Sequence, residues 1–532
     1  MSNKKSSKDR NSYKDKRYIA GRFRTEDILF IIIMAVGIFV RIFRFGSLPD
    51  GINQDEAFAG YEAYSLLHYG KDSFGYSFPV YLTTWGSGMN VLNSYLMIPF
   101  IAIFGLKTWV IRMPQLIVAI FTLMTCYLIM KRLFNERAGL IAMFILAIVP
   151  WHIMLSRWGL ESNLAPGFLM FGLYFFIRGM DNQKFYIVSA LMYGLSLYSY
   201  ATIWPFVPLM ILLEVIYALY LKKMHFDRYL VISAMLLVAL ALPLLLFLLV
   251  NSGRIDELKL GFISIPRLLY MRSGEISVKN VPVNFKNILN IMTNQTDGLI
   301  TNVYGEYSFL YKITLIFFIY GIIASVINIV KNIKSRQILG QVFLIIQFIG
   351  GFLLTLLVYV NVNRANSLMI PIVMLAAYGI YDIAERVDFK LVWVIAVCYL
   401  CFFAGFSQAY FTSYNEDAGQ AFCVGLEEAV DYAEKLSKDN KIYITSYVSQ
   451  SRVMFYSKIP VDEYINTVVY NNYPGAFIGT DSFGRYCMSF DIYNNIDTNG
   501  VYILDIGTDS SMLESYGFKP KEFGYYKVLV CD

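Results

Sequence analysis

Two adjacent carboxylates, Asp55 and Glu56, stand in the run Gly51-Ile-Asn-Gln-Asp-Glu-Ala-Phe-Ala-Gly60, a few residues after the first apolar stretch of a mostly apolar chain. A carboxylate at the mouth of a helical bundle, facing away from the cytoplasm, is placed to take the proton of a hydroxyl acceptor, so Asp55 is the candidate general base. Glu56 could orient Asp55 or the acceptor, or raise the base's proton affinity by like-charge proximity. The pair also reads as the acidic first turn of a helix capped by Asn53 and continuing amphipathically from Ala57 to Leu67. Gly51 and Gly60 close by, and the lack of a basic residue before Lys71, favour the chemical reading.

The elements that hold these residues follow from composition. With 57% hydrophobic and 16% charged residues, the 532-residue chain has more apolar surface than a soluble fold can hide. Its mean hydropathy is +0.51. Stretches long enough to cross a bilayer lie near 28–45, 110–130, 138–154, 164–178, 185–200, 202–221, 229–250, 308–330, 337–360, 367–385 and 391–410, eleven in all. Residues 1–26 carry nine Lys and Arg against three acids, an excess equal to the whole chain's net charge of +6. A basic tail before an apolar span reads as a cytoplasmic anchor, and nucleic-acid binding is a poor rival. The turns beginning at Lys131, Arg178, Lys222, Lys331 and Arg386 then fall inside, and all are basic. The first span has no small-residue cleavage site and stays as a helix. A twelfth apolar piece, 91–106, must be interfacial or re-entrant, because a crossing there would put every later basic turn outside.

The large polar parts, loops 47–109 and 251–307 and the tail 411–532, share the outer compartment, an asymmetry that suits an enzyme better than a transporter. In the tail, Glu416 to Lys438 has helical periodicity, while Lys441–Tyr447, Gly500–Asp505 and Tyr525–Val530 alternate like strands. The fold class expected is an all-α polytopic membrane bundle, 27–410, with a small C-terminal α/β extracytoplasmic domain. The tail's aromatic residues (Tyr443, Tyr447, Phe455, Tyr456, Tyr470, Tyr473) either pack a small core or hold a glycan or polymer. Among the six cysteines no metal spacing occurs, and Cys423, Cys487 and Cys531 could supply one disulfide.

Several motifs in order resemble one family. These are the Asp55-Glu56 pair in a first outer loop, Trp85-Gly-Ser-Gly-Met-Asn90, an apolar segment ending near Gly105, and Arg112-Met-Pro114 opening the second crossing. Pro150-Trp-His-Ile-Met-Leu-Ser-Arg157 and Asn363-Arg-Ala-Asn-Ser-Leu-Met-Ile-Pro371 follow. Together they resemble the protein O-mannosyltransferase and aminoarabinose transferase group of GT-C glycosyltransferases, over about residues 28–410. The resemblance implies inverting transfer of a monosaccharide, hexosyl or pentosyl, from a polyprenyl-phosphate carrier to an outward-facing glycan, lipid or protein acceptor, with Asp55 as base. The departing phosphate needs cations and no protonating acid.

Arginines at outer helix ends are the next candidates. Arg364, in a six-residue outer turn, stands where a lipid phosphate could accept a forked contact; snorkelling to headgroups is the alternative. Arg112 and Arg157 could join the site or merely pair with Glu161 or Glu56. Tyr61 and Tyr200 are counted with Glu161 as candidate substrate contacts, although an interfacial aromatic belt also explains Tyr198, Tyr200 and Trp204. No cofactor is expected; a divalent metal would call for a second outer acidic motif, and Glu161, Asp256, Glu257 and Asp297 lack recognisable spacing. The rivals are a lipid-linked sugar flippase or polysaccharide transporter, and a non-catalytic partner whose tail binds a surface polymer.

Overall fold

Each of the eleven apolar stretches falls on a helix in the computed structural model, which describes residues 24–85, 88–271, 277–445, 448–475 and 477–531. The basic tail up to residue 23, Arg272 and Tyr447 lie outside the described residues. Among the described residues six helical segments are long and apolar enough to cross a bilayer: Thr108–Leu133, Arg228–Asn251, Gly305–Ser335, Gly340–Leu357, Asn366–Arg386 and Leu391–Thr412. Shorter helices, Glu136–Ile148, Ala165–Gly179, Phe185–Ser196 and Phe206–Tyr220, occupy the other predicted stretches, and the first helix is Thr25–Ile42. The piece 91–106 forms Leu92–Phe104, 13 residues interrupted by Pro99. At 1.5 Å per residue it reaches roughly 20 Å, too short to cross.

The bundle is layered by apolar pattern. Asn366–Arg386 is buried without a break from Asn366 to Ile380 and forms its centre. Arg228–Asn251 instead leaves Met235, Val238, Leu242 and Leu245 uncovered, a stripe at helical spacing that only lipid can satisfy. Ile316, Ile319, Ile323 and Val394, Val397 mark the same outward face on two other helices. The central helix meets Lys312–Asn332 backbone to backbone, because Gly321 and Gly379 have no side chain there: a Cβ on Gly321 would lie 2.0 Å from the Leu375 carbonyl oxygen. Two buried charged side chains in the bundle show how polar groups are held there. Glu214 accepts hydrogen bonds from Tyr193 (2.9 Å) and the Gln347 amide (2.7 Å). Arg41 donates to the carbonyls of Gly37, Leu146 and Ala147.

The tail carries a seven-stranded mixed sheet in the order Phe518–Phe523, Tyr526–Cys531, Val501–Asp505, Ile442–Ile444, Tyr486–Cys487, Gly479–Phe483, Val469–Asn471. Ile442–Ile444 pairs parallel with both of its neighbours, and the remaining ladders are antiparallel. The three predicted strands are present, and the predicted helix narrows to Leu426–Ser437. The edge strands and the helices Gln450–Ser457 and Val461–Thr467 carry too few alternating residues to show in the sequence. All six cysteines are free. Phe455 and Tyr456 are buried and Tyr443 stacks on Tyr502, so these rings pack the core.

The tail does not stand apart from the loop that follows the first helix. Ile52, Phe58 and Tyr61 share one hydrophobic core with Leu426, Val430, Phe455 and Tyr486. Each fully buried side chain of this size contributes roughly 1.5–3 kcal/mol. The Gln54 helix (Gln54–Tyr69), which bears the acidic pair, is therefore held by residues almost four hundred positions downstream.

Candidate active site

Asp55 lies in the first turn of the Gln54 helix, and the start of that helix is fixed from several sides. The Asn53 side chain accepts the Asp55 N–H at 3.0 Å, and Glu56 reaches back to accept the Asn53 N–H at 3.0 Å, a reciprocal cap. Ahead of the cap, Gly51 has φ +72° and a Cβ would lie 2.2 Å from the Phe422 carbonyl oxygen, so only glycine fits that approach. The Ile52 N–H donates to Phe422 at 2.6 Å, Arg452 Nε to the Ile52 carbonyl at 3.1 Å, and Ser451 Oγ to the Gln54 carbonyl at 3.1 Å. The backbone on the amino-terminal side of Asp55 is thus clamped by the tail domain.

The Asp55 carboxylate borders a cavity of about 490 Å³, within the size range of a small-ligand site. Glu161, Tyr200 and Arg364 line the same cavity, as do Trp85, Trp204 and Phe477. Glu161 accepts the Asn90 backbone N–H, and burial pushes its carboxyl up to about 8, with the Asp55 charge adding to the shift. Arg364 sits in the turn after Gly340–Leu357. Its Nη1 donates to the Tyr359 carbonyl at 3.0 Å, its N–H to Asn361 Oδ1 at 2.8 Å, and its guanidinium lies beside the Tyr200 hydroxyl. Asp297 holds that turn from the long outer loop, accepting the Val362 N–H at 2.9 Å and the Asn302 amide at 2.7 Å. Two carboxyl groups, a phenol and a guanidinium therefore share one space flanked by indole rings.

Residues 91–254 match the family model described as dolichyl-phosphate-mannose-protein mannosyltransferase. Among curated proteins no sequence matches. In structure, the chain is similar to ArnT from Cupriavidus metallidurans in the apo state, at 12% identity and TM-score 0.54, over 94% of this chain and 97% of that one. The same protein bound to undecaprenyl phosphate gives 11% identity and TM-score 0.53 over the same shares. The oligosaccharyltransferase of Archaeoglobus fulgidus is similar at 14% identity and TM-score 0.48, over 81% of this chain and 61% of that one, so the chain spans about three fifths of that relative. The chain has the GT-C glycosyltransferase fold. Its membrane character and its C-terminal sheet domain belong to that fold and are what the sequence led us to expect.

Within the GT-C frame the predicted site residues divide in two. The cavity brings together Asp55, Glu161, Tyr200 and Arg364. Glu56, Arg112, Arg157 and Tyr61 are not among the side chains that line it. Glu56 is fully buried and takes a forked ion pair from Arg112, Nε to Oε2 at 2.9 Å and Nη2 to Oε1 at 2.6 Å, plus the Gly159 N–H at 2.7 Å. The remaining Arg112 donors go to the carbonyls of Pro49 (2.7 Å) and Gly51 (2.8 Å). Glu56 is thus neutralised across 56 positions rather than locally, which corrects the expectation drawn from the lack of a nearby basic residue. Arg157 donates to the carbonyls of Val40, Arg41, Phe43, Arg44 and Leu48, closing the end of the first helix, and pairs with no acid among the described residues. The Tyr61 hydroxyl donates to the Ile459 carbonyl at 2.7 Å, inside the core shared with the tail.

Sequence reasoning did not name Phe477, Asn361 or Asp297 as parts of this region in these roles. Phe477 carries no local signal, since only the folding of the tail onto the first loop brings it near Asp55. Asn361 and Asp297 act through turn geometry that residue type alone does not disclose. The two family-like motifs near 150 and 363 do meet: Trp151 Nε1 donates to Asn366 Oδ1 at 2.8 Å, and the Asn366 amide donates to Asn163 at 3.1 Å.

Proposed function

We propose that this chain is an inverting glycosyltransferase of the plasma membrane. It moves a hexosyl or pentosyl unit from a polyprenyl-phosphate carrier to an acceptor outside the cytoplasm, with its amino terminus inside and its tail domain outside. The observation that carries this reading is the shared cavity of Asp55 and Arg364, in a chain with the GT-C fold. The relative bound to undecaprenyl phosphate supports a carrier of that chemical class. In this reading Asp55 takes the acceptor hydroxyl's proton while that oxygen forms a bond to the anomeric carbon. The bond from that carbon to the carrier phosphate oxygen breaks, and the phosphate leaves with the electron pair on the face opposite the acceptor. Arg364 and the Tyr200 hydroxyl hold the departing charge. Glu161, held protonated at neutral pH, donates a hydrogen bond to the bound sugar and does not compete as base. Replacing Asp55 with Asn in reconstituted vesicles should lower sugar transfer by about 10²–10⁴-fold with carrier binding retained. Unchanged transfer would remove Asp55 from the mechanism.

A further inference from the structure

The tail domain presents a set of aromatic rings that its core does not use. Tyr473 is 55% and Phe477 56% exposed, four positions apart in a turn that links the edge strand Val469–Asn471 to its neighbour Gly479–Phe483. That turn is fastened. The Asn472 amide donates to the Phe477 carbonyl at 2.8 Å, and the Ile478 N–H donates to the carbonyl of Trp85, a residue of the cavity wall, at 3.2 Å. Tyr473 is also held flat. Its ring lies nearly parallel to Tyr470, 14° between planes at 5.8 Å, and Tyr470 lies parallel to Phe74 of the first outer loop, 4° at 6.4 Å. The outer face of Tyr473 stays open to water, and Phe477 continues the same turn into the cavity wall that contains Asp55.

A rigid ring stack with one free face, leading to a catalytic cavity, suits a ligand with flat apolar C–H faces and polar edges. Sugar rings have that chemistry, and aromatic rings recognise them without charge. Around the turn the polar side chains are amides: Asn471 donates to Asp481 at 2.6 Å, and Asn472 closes the loop. No Lys or Arg occurs between residues 459 and 484, so the turn itself offers an anionic polymer no cation. We infer that Tyr473 and Phe477 form an acceptor subsite for an uncharged saccharide chain, whose terminal unit reaches Asp55 while the preceding units stack along the turn. The inference rests on the proposed transferase reading and adds to it that the acceptor is carbohydrate rather than a peptide or a lipid headgroup.

The experiment uses the full chain in nanodiscs and two separate readouts. Binding is measured to immobilised neutral oligosaccharides of two to six hexose or N-acetylhexosamine units, with the wild type, Tyr473→Ala, Tyr473→Ala/Phe477→Ala and Asp55→Asn. Slow release of the sugar from a polyprenyl-phosphate sugar donor to water, which needs no acceptor, is followed in parallel. The inference expects saccharide binding by the wild type and by Asp55→Asn, at least about tenfold weaker binding by the double variant, and, in the single variant Tyr473→Ala, weakened saccharide binding with donor hydrolysis equal to wild type. Tyr473→Phe/Phe477→Tyr should restore binding. Absence of saccharide binding in the wild type, or equal binding by the double alanine variant, overturns the subsite. Absence of donor hydrolysis in the wild type, with saccharide binding intact, overturns the transferase reading instead.

Discussion

If Arg112 serves the fold rather than the carrier phosphate, its loss must be repairable without restoring a cation. Arg112 and Glu56 have side chains that are 0% exposed, and Arg112 makes four hydrogen bonds, two to Glu56 and two to the carbonyls of Pro49 and Gly51. Arg112→Met leaves the Glu56 carboxylate buried, with only the Asn53 and Gly159 N–H groups to hold its charge. Removing one partner of such a pair costs about 3–5 kcal/mol, whereas replacing both with apolar side chains is often nearly neutral. Arg112→Met should therefore be strongly destabilised in nanodiscs, and Glu56→Leu/Arg112→Met should recover much of that loss. The double-mutant cycle should give a coupling of about 2 kcal/mol or more. In the double variant the KM for the sugar donor should stay within about threefold of wild type, since lost binding of a charged group costs about 1.5–3 kcal/mol, or more than tenfold. Additive losses in the cycle would refute the assignment, and so would a donor KM raised tenfold in a double variant of restored stability.

The cavity arginine should behave in the opposite way. Arg364→Gln should raise the donor KM about 10–100-fold with little change in unfolding temperature, and Arg364→Lys should recover part of the loss; the check is steady-state kinetics over a donor series. In the first outer loop, Glu62 and Asp72 are buried together without a cation: burial, and for Glu62 the neighbouring Asp72 charge, hold Glu62 well above the carboxylate range and Asp72 up to about 7. Raised native values mean that the folded state binds more protons than the unfolded one, so this stability is complete below about pH 4 and is lost as pH rises through 7. Asp72→Asn should flatten that slope, of order 1 kcal/mol per pH unit, in an unfolding series from pH 4.5 to 8. Gly321→Val should abolish accumulation of folded protein, because its Cβ meets the backbone of the central helix and no side chain can give way; detergent-stable yield decides this.

The bundle was legible because apolar length and basic turns are long-range regularities that survive without knowledge of contacts. The tail's central strands were legible for a similar reason, as Ile442–Ile444 and Val501–Asp505 alternate or run apolar through the sheet's middle. Edge strands such as Val469–Asn471 were not, since solvent on both sides removes the pattern. At the site, Asp55 and Arg364 could be picked out because each is a charge in a place that requires a reason. Arg112 and Arg157 were picked out by the same logic, yet Arg157 serves a set of backbone carbonyls and Arg112 a buried carboxylate and two carbonyls. Residue type cannot tell a guanidinium that meets a ligand from one that meets the chain, because both need the same five donors.

The clamp on Asp55 has a consequence for how the molecule is made. The Ile52 N–H donates to the Phe422 carbonyl, and the carbonyls of Ile52 and Gln54 accept from Arg452 and Ser451, so the turn that carries Asp55 is completed only after the last span has been inserted and the tail has folded. Those partners lie about 370–400 positions further along the chain. Until then the turn that carries Asp55 is without the bonds that fix it, and a chain stopped short in synthesis leaves that carboxylate unaimed.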